Sequence, residues 1–130
     1  MVIYRIQDRY GRGPWKPGFS HKWVEDREDL VNLPPTLRDY RGMLECANAG
    51  YAMGYGCKTI DGLKRWITPK EYEMLRGFGY KAVKMEVSKV LMETDTQVLF
   101  ARSLPLNLNV VVFRLYQKEE ANNGTAKRLS

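Results

Sequence analysis

Apolar and polar positions fall into two rhythms along the chain. Val2, Tyr4 and Ile6 alternate with Ile3, Arg5 and Gln7, a period of two that predicts a first strand over Val2 to Gln7. Asp8 to Ser20 holds too many Gly and Pro residues for a regular element and reads as a loop. His21 to Val31 carries Trp23 and the mixed-charge run Glu25-Asp26-Arg27-Glu28-Asp29, which suits a short solvated helix or loop. After Pro34-Pro35, Leu37, Tyr40, Leu44 and Ala47 recur at spacings of three and four, predicting a helix from about Pro35 to Asn48 that ends near Gly50.

Tyr51 to Lys58 is aromatic and punctuated by Gly54 and Gly56, a loop running into a brief strand. Thr59 supplies an N-cap hydroxyl for a helix over Ile60 to Ile67, with Leu63, Trp66 and Ile67 on one face. Thr68-Pro69-Lys70-Glu71 is a capping box with proline at the first helical position; Tyr72, Leu75 and Phe78 extend its apolar face, and Gly77 and Gly79 end it. From Tyr80 the period returns to two. Val83, Met85 and Val87 oppose Ala82, Lys84 and Glu86 in a half-buried strand, and Lys89 to Met92 and Thr96 to Arg102 give two more. Leu108 to Leu115, with four apolar residues in succession, reads as a strand buried on both faces.

These elements predict an α+β protein with a small mixed or antiparallel sheet and two to three helices. The 130 residues suit one domain over residues 1–116, followed by a polar, flexible tail over 117–130. Cys46 and Cys57 lack CxxC spacing and have only His21 to assist them, so neither a disulfide framework nor a metal site is expected. A reduced, cytoplasmic setting follows, and no apolar run reaches the roughly 18 residues of a membrane span.

The net charge of +6 and a pI near 9.4 admit nucleic acid, anionic cofactors or acidic protein surfaces as partners. The positive charges are dispersed among acids, and no nucleic-acid motif accompanies them. Arg5 lies mid-strand, where a long cation requires an edge to reach solvent from, a carboxylate such as Glu93, or a ligand. Arg9, Arg12 and Lys16 interleave with Tyr10 and Trp15 in the following loop, a mixture suited either to phosphate and ring stacking or, through Trp15 and Phe19, to plugging the core. In Met92 to Arg102, an extended chain would put Glu93, Asp95 and Gln97 on one face and Val98 and Phe100 on the other.

Arg5 on the first strand, Thr59 at a later one and Asp95-x-Gln97 near the end together resemble the ADP-ribosyltransferase-like fold. That family carries an arginine or histidine, a serine or threonine, and a late Glu-x-Glu or Gln-x-Glu at such places. The chain also resembles small phage and prophage proteins that open with Tyr-Arg-Ile and Gly-x-Gly-Pro and close with Gln-Val-x-Phe. The resemblance implies NAD as cofactor, Arg5 on its phosphate or ribose, Thr59 shaping the nicotinamide pocket, and Tyr10, Trp15 or Tyr55 stacking on the nicotinamide. It implies Gln97 at the catalytic place, with Asp95 or Glu93 supplying the charge that an amide lacks. The implied activity is ADP-ribosyl transfer to a bacterial host target in the host cytoplasm. The alternative is a non-enzymatic phage protein that blocks a host protein, a nucleic-acid complex or a defence system, a CRISPR or other immunity inhibitor for example.

Overall fold

The first strand predicted from the sequence, β1 (Val2–Gln7), forms an antiparallel pair with β3 (Lys81–Glu86), and β3 pairs in turn with β6 (Val111–Phe113), giving a three-stranded sheet of order β1-β3-β6. A second antiparallel sheet has the order β2-β5-β4, from β2 (Ala52–Gly56), β4 (Lys89–Glu93) and β5 (Val98–Arg102). The helices are α1 (Arg41–Asn48), α2 (Ile60–Trp66) and α3 (Pro69–Gly77). This computed structural model describes residues 1–14, 22–23 and 41–117. The loop over 15–20, the mixed-charge run, the first turns of the helix expected from Pro35, and the tail beyond Gln117 lie outside the described residues.

Both helix caps form as the sequence predicts. Thr59 Oγ1 accepts from the Gly62 amide at 2.9 Å, and Thr68 and Glu71 exchange side chain-to-backbone bonds at 2.9 and 3.1 Å. The reciprocal bonds satisfy two amides that a helix start leaves without partners. α2 and α3 present Leu63, Ile67, Tyr72 and Leu75 to one face of the first sheet, where Ile6 and Ala82 are buried against them and Tyr4 and Phe113 pack alongside. Phe78, expected on the apolar face of α3, instead caps its end and is exposed.

The opposite face of the first sheet carries Ile3, Val83 and Met85, and these pack on Val98 and Phe100 of β5. The first sheet thus lies between the α2–α3 pair and the second sheet, while α1 packs beside β2. Among the described residues the two sheets join at a single antiparallel bridge, where the backbones of Tyr4 and Cys57 exchange hydrogen bonds of 2.8 Å. Two glycines of β2 permit the approach: a Cβ at Gly56 would stand 2.7 Å from Ile3 Cδ1, and one at Gly54 would stand 1.9 Å from Arg5 Nη1.

Two expectations are corrected. Glu93, Asp95 and Gln97 do not share one face of a strand, because residues 94–97 form the turn between β4 and β5. Thr94 donates its amide to the Gln97 carbonyl at 2.9 Å, and its hydroxyl accepts from the amides of Thr96 and Gln97 at 3.3 and 3.2 Å. A hydroxyl that serves nearby amides stabilises a turn over an extended chain. Nor is the stretch from Leu108 to Leu115 a strand buried on both faces. Pro105 to Asn109 is a turn, with Asn109 at φ 52°, and β6 is a short edge strand on which Val111 and Val112 are each 55% exposed.

Candidate functional site

Strand alternation decides which side chains enter the space between the sheets. On β1, Ile3, Arg5 and Gln7 share the inward face. On β5, Val98, Phe100 and Arg102 do so, standing opposite Gly56, Gly54 and Ala52 of β2. The space is therefore apolar at the end of Ile3 and Val98 and polar at the end of Arg5, Gln7 and Arg102.

Arg5 is 6% exposed. Its guanidinium lies over the Gly54 backbone, with Cζ 5.8 Å from the centre of the Phe100 ring, and Nη2 donates to the Gly11 carbonyl at 3.3 Å. Nε and Nη1 have no hydrogen-bond partner, and no carboxylate forms an ion pair with the group among the described residues. Burial pulls its pKa down to about 10, with the nearby Asp8 carboxylate opposing the shift and the Arg102 cation adding to it. Arg102, 4% exposed, is likewise lowered by burial. Its Nη2 donates to the Pro105 and Leu108 carbonyls, while Nε is without a partner. Gln7 donates to the Leu106 carbonyl at 2.8 Å and leaves Oε1 unpartnered. Arg102 and Gln7 thereby hold the 105–108 turn against the polar end. On the other side Gly11, at φ +86°, lets the first loop pass within 2.8 Å of Leu106 Cβ, measured from where its own Cβ would be.

The other sequence candidates divide between this region and more distant places. Gln97, just before β5, is buried with Nε2 unpartnered. Asp95 is exposed at the turn before it. Glu93, at the end of β4, forms an ion pair with Lys58, and so does not serve Arg5. Thr59 is two residues beyond the Tyr4–Cys57 bridge, with its hydroxyl occupied in capping α2. Tyr55 pairs with Leu99 and so lies on the face of the second sheet away from Arg5. Tyr10 is exposed, flanked by the Arg9 and Arg12 guanidiniums at 4.8 and 5.5 Å from its ring centre. Trp15 lies outside the described residues. Among the described residues, no three His, Cys, Asp or Glu side chains are placed to hold a metal.

Sequence reasoning missed Gln7, Arg102 and Gly54, which makes room for Arg5; Gly13, read as a place of close backbone approach, lies against Arg5 Nη2. The signal available was Arg102, a cation ending an apolar run in phase with Val98 and Phe100. Chemically, the polar end offers three unpartnered guanidinium nitrogens and one unpartnered amide oxygen, a set suited to an oxyanion beside a hydroxyl.

The fold, with two arginines buried between its layers, defines a small α+β protein of two antiparallel sheets. The chain belongs to a bacteriophage family: the family model described as "Bacteriophage T4 Y00F protein" matches residues 1–120. No match was found among curated proteins or among solved structures. None of the described helices is long and apolar enough to cross a membrane.

Proposed function

We propose that this phage protein is ADP-ribosyltransferase-like: it binds NAD or a related nucleotide through Arg5 and modifies a bacterial host target. One observation carries the reading. Arg5, Thr59 and Gln97 sit on or beside three neighbouring strands, each within two residues of the Tyr4–Cys57 bridge or the Gly56–Val98 pair. Arg5 and Gln97 each hold a buried donor without a partner. Buried polar groups ordinarily have partners, so orphaned donors fit a phosphate at Arg5 and a ribose hydroxyl or amide at Gln97.

Bound NAD would supply an ADP-ribose group activated by its nicotinamide leaving group. The chain's part is to orient that group and to face the positive charge developing on the ribose with a carboxylate. The Gln97 amide can orient a hydroxyl but brings no charge. Glu93 is engaged with Lys58, which makes Asp95 the acid. The test is transfer of label from biotinylated NAD into bacterial host lysate. Labelling by wild type that is lost in Asp95→Ala supports the reading; inertness of both discards transfer.

Gln97 itself favours a second reading, in which the nucleotide site is non-catalytic and the protein obstructs a host protein, a nucleic-acid complex or a defence system. Its signature is NAD binding with no label transferred, together with stoichiometric capture of one host partner.

A further inference from the structure

We infer that Arg102 is a second anion anchor, and that Arg5 and Arg102 together form a receptor for a diphosphate group. The inference deepens the nucleotide reading by naming the ligand group and the residue that selects it. Both cations are more than nine-tenths buried, and strand alternation puts both between the sheets along the same strand, Arg5 against Gly54 of β2 and Arg102 in register with Ala52 two residues away. Two like charges brought together out of water are costly, and a buried cation is normally matched by a carboxylate. Here the matching is incomplete. Arg5 receives one backbone carbonyl and Arg102 two, and the nearby Asp8 carboxylate, whose Oδ1 accepts from the Tyr10 and Arg12 amides at 2.9 Å, forms no ion pair with either guanidinium. What is left over is Nε and Nη1 on one guanidinium and Nε on the other.

A group with one negative centre for each guanidinium completes the set, and a diphosphate has two phosphoryl centres a few ångströms apart. Gln7 Oε1, on the same face of β1 as Arg5 and unpartnered, fits a hydroxyl next to that anion, as in a ribose ester of diphosphate. A monophosphate or sulfate would serve one guanidinium and leave the other as it stands. The 105–108 turn, held by Arg102 and Gln7, forms one wall of the receptor.

The experiment is a thermal-shift series on the full chain with pyrophosphate, inorganic phosphate, ADP and NAD, against sodium chloride at matched ionic strength. Pyrophosphate is expected to raise the midpoint by roughly 4 °C or more at saturation, with inorganic phosphate well below it. In Arg102→Met the pyrophosphate affinity should drop about tenfold or more, and Arg102→Lys should recover part of it. A pyrophosphate response no larger than that of chloride overturns the inference, and this is read on wild type without any variant. An unchanged response in Arg102→Met overturns it also. Stabilisation by pyrophosphate and ADP but not by NAD upholds the two-arginine receptor while rejecting the NAD reading. Stabilisation by NAD that ignores Arg102→Met does the reverse.

Discussion

Arg5 is a cation kept where the protein gives it little in return. Replacing a buried, incompletely paired charge by an apolar side chain of similar length is often stabilising. Arg5→Met is therefore expected to raise the unfolding free energy of the free protein at neutral pH by roughly 1 kcal/mol or more, while weakening ligand binding. The pH dependence has a definite sign. The folded-state pKa of about 10 lies below the ordinary arginine range, so above it the unfolded chain binds the additional proton and stability from this group rises with pH. Below about 10 the penalty is complete. The advantage of Arg5→Met over wild type, measured as urea midpoints, should thus shrink as pH is raised from about 8 to about 11, the other titrating groups being common to both proteins. An advantage that grows over that range would contradict the assignment. Gly54 belongs to the same account. Its alanine would press on Arg5 Nη1 and on Leu106 Cδ1, so Gly54→Ala should cost roughly 1–3 kcal/mol, and at least about 1 kcal/mol less in an Arg5→Met background.

Among the elements, those whose cause is local were legible in the sequence. The Thr68–Glu71 box and the Thr59 cap each depend on residues three apart, and both helices start where the pattern predicts. Thr68→Ala should lower stability by about 1 kcal/mol, as chemical denaturation would report. β1 and β3 were readable for the same reason, since alternation is local, and Val83, Met85 and Val87 point where the period of two puts them. The β4–β5 turn was misread because a hydroxyl at Thr94 competes with an extended backbone through bonds that alternation does not register. β6 was misread because a run of apolar residues looks alike in a buried strand and in a short exposed edge. Gly11 gives a test at this scale. Its positive φ and the nearness of Leu106 Cβ and the Asn107 amide make Gly11→Ala costly by roughly 1–2 kcal/mol, whereas Gly77→Ala meets nothing within 4 Å and should be neutral or slightly stabilising.

At the scale of the molecule, two three-stranded sheets meet at one bridge among the described residues, and the functional reading rests on the polar side chains buried between them. The sequence named Arg5 as a cation in need of a partner, and that need follows from its place in the strand. It could not name Arg102, Gln7 or Gly54 as neighbours, because their convergence depends on how β5 and β2 are registered against β1, a long-range relation with no trace in local spacing. Gly56 is the residue on which this arrangement turns: a Cβ there would meet both Ile3 Cδ1 and, at 3.1 Å, the Tyr4 carbonyl of the bridge itself. The most direct measurement of whether Arg5 belongs to a nucleotide site is a calorimetric titration of wild type and Arg5→Met with NAD. Saturable binding by wild type, weakened about tenfold or more in the variant, is the expected result. Absence of binding by a folded wild type, or equal binding by both proteins, would contradict it.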